Sequence, residues 1–170
     1  MSWTIRRLTG NDGALFREIR LEALQRHPEA FGSDFADEAV HDADWFAARI
    51  GRSAVFGAFT GSDFIGTSSF YAETGRKSAH IGRLVSMYVR PEGRGTGMAL
   101  ALVETVLQHA SMQVMQVELG VAVDNEPAIR LYKKAGFETY GTEPNALFVN
   151  GRYIDEHLMV RFVEGTRKAD

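Results

Sequence analysis

Three glycines fall within five positions, Gly93, Gly95 and Gly97, between an alternating run at 79–89 and a stretch whose apolar residues are Met98, Leu102, Val103, Val106 and Leu107. Alternation reads as a strand and the three-to-four spacing as a helix, so the glycines occupy a strand-to-helix turn. A second strand pattern follows at 114–123. Strand, helix and strand in that order make a parallel crossover, which excludes a helical bundle. The crossover also puts a backbone-rich turn at the carboxyl end of a strand, where open α/β sheets hold their ligands.

The rest of the chain adds antiparallel elements. Residues 3–8 read as a strand, and Asn11 or Asp12 caps a helix with an apolar stripe of Leu15, Phe16, Ile19, Ala23 and Leu24, stopped by Pro28. An acidic, irregular connection at 27–37 precedes a second helix from Asp42 that buries Trp45, Phe46 and Ile50. Strands at 54–59 and 64–71 flank a Gly61-Ser62-Asp63 turn, and a polar loop at 73–77 leads to the crossover. Asn125 and Pro127 open a helix that runs to Ala135 and stops at Gly136. The last two strands, 137–149 and 152–163, flank Asn150-Gly151, a strong hairpin signal. The expected fold is an α/β (α+β) mixed sheet, mostly antiparallel and flanked by helices, in the order β-α-α-β-β-β-α-β-α-β-β. At 170 residues, one domain over 1–170 is expected.

Composition removes several function classes. Nineteen basic and 22 acidic residues leave a formal charge of -3, without the basic domain that marks a nucleic-acid binder. With no cysteine, the chain has no disulfide, thiolate metal site or thiol nucleophile. The five histidines include no i, i+4 pair, so no metal is expected. No run reaches the roughly 20 apolar residues that cross a bilayer, and no membrane association is expected. A cytoplasmic protein is the simplest reading.

A glycine loop at a helix N-terminus is a ready anion site, because unpaired amides and the helix dipole both favour negative charge. Two familiar nucleotide loops fail on spacing. A Walker A loop needs a lysine after its last glycine, and none follows here. A dinucleotide fingerprint started at Gly93 ends on Met98, and one started at Gly95 ends on Leu100. What fits is [QR]-x-x-G-x-[GA], met by Arg94-Gly95-Thr96-Gly97-Met98-Ala99. Here the chain resembles the GNAT superfamily of acetyl-coenzyme A-dependent N-acetyltransferases. A second stretch, from Asn125 through Ala128, Leu131, Tyr132 and Gly136 to Phe137, looks like that family's N-x-x-A-x-x-L-Y-x-x-x-G-F helix. The resemblance is sharpest over 83–137.

The resemblance implies acetyl-CoA as donor, its pyrophosphate on the amides of Arg94, Gly95, Thr96, Gly97, Met98 and Ala99, and its pantetheine arm along Met87, Tyr88 and Val89. It implies a cofactor contact for Asn125, which is equally a good helix cap. Tyr132 stands where the family commonly has a general-acid tyrosine; a thiol has a pKa of about 8.5 and tyrosine about 10, so proton delivery to a leaving thiolate is feasible. The incoming amine must itself lose a proton, and Glu118, Glu73 and Glu22 are candidate bases among which the sequence does not select. Phe31, Ser33, Phe35, Tyr71 and Tyr140 are candidate acceptor walls. The expected activity is acetyl transfer to the primary amine of a small molecule; a protein N-terminus or lysine as acceptor, and a non-catalytic acyl-CoA-binding role, stay open. Leu147-Phe148 and Tyr153-Ile154 on the last hairpin suit a homodimer interface.

Overall fold

The computed structural model describes residues 2–163; Met1 and 164–170, included in the single-domain expectation, lie outside the described residues. Seven strands form one sheet in the order β1-β2-β3-β4-β5-β7-β6. They are β1 (Thr4–Arg7), β2 (Ala54–Thr60), β3 (Asp63–Ala72), β4 (Ile81–Val89), β5 (Gln116–Ala122), β6 (Glu138–Val149) and β7 (Arg152–Phe162). The helices are α1 (Gly13–Arg26), α2 (Phe35–Ala39), α3 (Ala43–Arg52), α4 (Met98–Ala110) and α5 (Glu126–Lys134). β4 and β5 run parallel, joined by α4, and the other neighbouring pairs are antiparallel.

Each face of the sheet is covered by its own helices. Phe16, Ile19, Ala23, Phe46 and Ile50 of α1 and α3 bury against Val55 and Phe64. On the other face Met98, Leu102, Val103 and Val106 of α4 and Tyr132 of α5 pack against Phe70, Leu84, Val117, Leu119 and Val121. These apolar stripes follow the three-to-four periodicity read from sequence. Leu15 departs from it: it is 40% exposed, one step round α1 from the Phe16–Ile19–Ala23 seam. The 27–37 connection is also more ordered than its acidity suggests. It holds a 3-10 turn at Pro28–Ala30, and Asp34 caps α2 by accepting the Ala36 N–H at 2.7 Å. Asp34, within a stretch read as irregular, is thus a helix cap.

Two local features position the site. β4 and β5 are bonded only from Ile81 to Arg83, against Gln116 to Glu118, and then part. On the other side of β4, Thr67 pairs with Tyr88 but Ser69 pairs with Val85, so β4 carries an extra residue there. Ser86 takes up that bulge with φ +56°, an uncommon conformation for a non-glycine residue. The bulge twists β4 away from β5 and leaves a wedge at the carboxyl ends of both strands.

Candidate functional site

Two adjoining cavities open at this wedge. The larger, about 680 Å³, runs between β4, the glycine turn and α5; seven of the residues expected to hold a donor line it, namely Met87, Tyr88, Val89, Arg94, Gly95, Ala99 and Asn125. Asn125 is also the cap of α5, its Oδ1 accepting the Ala128 N–H at 3.3 Å.

Thr96, Gly97 and Met98 do not line that cavity. The Thr96 hydroxyl donates to the Gly93 carbonyl at 2.7 Å and stands 3.4 Å from the Met98 amide, which donates to it. Gly97, at φ +87°, turns the chain into α4, and Met98 sends its side chain into the core. α4 therefore starts at Met98, directly after the glycine run. Gly95 has φ +75°, and a Cβ at either Gly95 or Gly97 would meet nothing within 4 Å. The turn thus exposes bare backbone, followed by first-turn amides that have no intrahelical acceptor. With Arg94, whose Nε is tied to the Val89 carbonyl at 3.1 Å, these residues fit an anionic group at the cavity mouth. Apolar Met87, Val89, Ala128 and Leu131 fit an uncharged arm further in.

The smaller cavity, about 380 Å³, lies beyond a neck of Ala30, Phe31 and Met87 shared by both. Phe31, Ser33 and Tyr71, three of the five residues named as candidate acceptor walls, line it. Phe35 and Tyr140 do not: Phe35 opens α2, and the Tyr140 hydroxyl turns to Glu118 at 3.5 Å. Tyr132 reaches this cavity from α5 on the opposite face, through the gap where β4 and β5 part. Its hydroxyl has no hydrogen-bond partner among the described residues, and burial pushes its pKa above the ordinary tyrosine range. A neutral, unpaired O–H aimed into a cavity is available as a donor.

The three carboxylates suggested as bases are committed elsewhere, and none lines either cavity. Arg83 bridges Glu73 at 2.9 Å and Glu118 at 2.8 Å, and Gln116 also donates to Glu118 at 2.7 Å. Glu22 accepts from the Tyr88 hydroxyl and from Arg90 Nε, each at 2.9 Å. Burial pushes the Glu22 carboxyl up, but these donors outweigh it and hold it below its ordinary range. The carboxylate that does line the smaller cavity is Glu156 of β7. Burial, then the neighbouring Glu143 charge, raises its pKa. The sequence held one signal for it: Glu156 falls in alternation with Ile154 and Leu158, a charge between two apolar residues on one face of a strand. Arg20 and Arg49 stand at another wall and share the single carboxylate of Glu38, leaving one positive charge in excess.

Comparison with known proteins places this geometry in a family. The model of the acetyltransferase (GNAT) family matches residues 16–137. The L-amino acid N-acetyltransferase AaaT of Escherichia coli is 28% identical over 146 residues, 83% of this chain and 89% of that protein. A mycothiol acetyltransferase of Streptomyces scabiei is 29% identical over 79% of this chain, which spans 42% of that longer protein. Among solved structures, yncA of Salmonella typhimurium with its cofactor acetyl-CoA superposes with a TM-score of 0.82 at 21% identity, covering 100% of this chain and 99% of that one. The chain belongs to the GNAT acetyltransferase family, and it is an N-acetyltransferase.

Proposed function

We propose that the protein transfers an acetyl group from acetyl-CoA to the primary amine of a small molecule, with the donor in the larger cavity and the amine in the smaller. The observation that carries this reading is the shared neck: two cavities of different character meet at Phe31 and Met87, with the Tyr132 hydroxyl facing the inner one. Bound acetyl-CoA supplies a thioester, whose carbonyl carbon accepts the amine nitrogen. The amides of Gly95, Thr96, Gly97 and Ala99 at the cavity mouth, with the Arg94 guanidinium, receive the pyrophosphate. The β4 edge at Met87, Tyr88 and Val89, freed from β5, is open to pair with the amide-bearing arm. Asn125 sits beside it as both cap and wall. Tyr132 delivers the proton to the departing sulfur.

The small cavity favours a small-molecule acceptor over a protein chain, and its unequal charges favour an amine that also carries an acidic group. The activity named for the Escherichia coli relative, acetylation of L-amino acids, agrees with that polarity. A cytoplasmic setting and a homodimer complete the proposal. Phe148 and Tyr153, 65% and 68% exposed, pair at 4.9 Å on the last hairpin and suit a partner surface, though Ile154 beside them is buried. A monomer mass by light scattering would remove the dimer.

Thermal unfolding with acetyl-CoA, CoA and ATP in parallel tests the donor assignment. At about 100 times its dissociation constant a ligand specific for the folded state adds roughly 2.7 kcal/mol. A shift with acetyl-CoA and CoA but not ATP is expected, followed by thiol release with an amine panel. No shift at saturation overturns the reading.

A further inference from the structure

Acetyl transfer to an amine needs two proton movements, and the residues so far assigned account for only one. Alkylammonium groups have pKa values of about 10, so at neutral pH the acceptor arrives protonated and without the lone pair it must use. Some group in the acceptor cavity has to remove that proton.

Glu156 is placed for it by the sheet itself. In the β5–β7 ladder it pairs with Ala122, and Gly120 lies diagonally beside it on the same face of the sheet. Its side chain crosses the space that a residue at 120 would fill: a Cβ there would stand 2.7 Å from Glu156 Oε2. The missing side chain at Gly120 is therefore what lets the carboxylate lie over β5 and into the cavity that Tyr132 also faces. No ion pair or hydrogen bond engages the Glu156 side chain among the described residues. Every other carboxylate considered for this task is held by an arginine.

We propose that Glu156 is the proton acceptor for the incoming ammonium group. This rests on the acetyltransferase reading above and adds to it the group that activates the acceptor. Glu156 takes one of the three ammonium protons and passes it to solvent. The freed nitrogen pair forms the N–C bond as the C–S bond breaks, and Tyr132 gives its proton to the sulfur. The second proton lost by the nitrogen restores the Tyr132 hydroxyl. One proton is released per acetyl transferred.

The charged surroundings agree with a carboxylate suited to this exchange. Glu143 faces Glu156 directly across the β6–β7 ladder, and no cation among the described residues is paired with either. Arg20 and Arg49, on α1 and α3, line the same cavity but are turned to Glu38. Tyr71 and Tyr132 are the remaining titratable walls. Burial and Glu143 make the carboxyl a stronger base than an exposed glutamate, which draws it toward the operating pH that favours proton transfer.

The test follows thiol release from pH 5 to 9.5 with the twenty common L-amino acids, spermidine and n-butylamine as acceptors. It compares the wild type with Glu156→Gln, Glu156→Asp and Gly120→Ala, and acetyl-CoA binding by each protein is measured separately by thermal shift. For the acceptor that turns over best, wild-type kcat/KM is expected to rise through an acidic limb and then level off. In Glu156→Gln it should fall about 100-fold at pH 7 and keep climbing toward the amine's own pKa, because only spontaneously neutral amine then reacts. Glu156→Asp should recover part of the loss with the wild-type profile shape. Gly120→Ala, which crowds the carboxylate without removing it, should lower the rate about tenfold at unchanged acetyl-CoA affinity.

A Glu156→Gln enzyme within threefold of wild type, with the same profile, overturns the assignment. So does a wild type that binds acetyl-CoA but acetylates none of the panel. If acetyl-CoA does not bind the wild type, the transferase reading itself fails, and that result is read independently of any acceptor. If Glu156→Gln does not fold, Glu156→Asp and Gly120→Ala decide by the same criteria.

Discussion

Arg20 grips Glu38 through both carboxylate oxygens, Nε to Oε2 at 3.0 Å and Nη2 to Oε1 at 2.9 Å, in a pair whose side chains are 4% and 8% exposed. It ties α1 to α2 directly behind the smaller cavity, and Arg49 of α3 joins at 2.9 Å. Burial alone would raise the Glu38 pKa, yet the two guanidinium groups outweigh it and hold the carboxyl down to about 2. A carboxylate whose pKa is lowered on folding stabilises the fold above its unfolded pKa and ceases to do so as the folded pKa is approached. Wild-type melting temperature is therefore expected to fall between about pH 4.5 and 2, with Glu38 contributing on the order of 3 kcal/mol at pH 7. In Glu38→Gln that part of the decline should be missing, although the variant is less stable at neutral pH because the buried Arg20 and the half-buried Arg49 lose their partner. Scanning calorimetry from pH 7 to 2.5 on both proteins measures it.

Gly97 separates backbone geometry from packing. A side chain at 97 has open space but must adopt φ +87°, so Gly97→Ala should cost about 1–2 kcal/mol through conformation alone. Because the same dihedral aims the first amides of α4, acetyl-CoA affinity should drop as well. Chemical denaturation gives the first quantity and calorimetric titration the second; an affinity equal to wild type would detach the turn from donor binding.

Asn125 has two duties that different substitutions divide. Asn125→Ala should lose about 1 kcal/mol as the Ala128 amide loses its cap, and Asn125→Ser should restore most of it. If the side chain also touches the donor, Asn125→Ser will leave acetyl-CoA binding weakened although the helix is recovered. A KM for acetyl-CoA that follows stability through both variants assigns the residue to capping alone.

Tyr132→Phe removes a hydroxyl that has no partner among the described residues, so it should leave stability within about 0.5 kcal/mol of wild type. If that hydroxyl protonates the departing sulfur, kcat falls about 100-fold or more while acetyl-CoA binding is unchanged. Steady-state kinetics beside a thermal shift distinguish this from a packing role, in which stability would move and kcat would not.

Much of the architecture was legible because its signals are local. Asn150-Gly151 marked the last hairpin, and both residues have positive φ, 50° and 78°. Gly136 marked the end of α5 for the same reason, at φ +85°. The wall of the larger cavity from Met87 to Ala99 has local signals too, since those residues follow one another along β4, the glycine turn and the start of α4. The smaller cavity draws walls from α1, α3, β3, β7 and the 3-10 turn at Pro28–Ala30, brought together by strand order that no local pattern encodes. Hence Glu118 looked as eligible a base as any. Its engagement with Arg83 depends on a parallel register between strands separated by a whole helix. The β4 bulge was invisible for a related reason: a serine at positive φ has no compositional mark.

The neck formed by Ala30, Phe31 and Met87 ties the two halves of the reaction into a single thermodynamic account. A ligand that orders these three residues from one side prepares the wall met by a ligand from the other, and such coupling is reciprocal. Substitutions deep in either cavity should then shift the affinity for one substrate only. Changes at Phe31 or Met87 should shift both, and in correlated amounts. Acceptor preference can drift through α1, α3 and β7 while donor affinity stays fixed, so long as the neck is left alone.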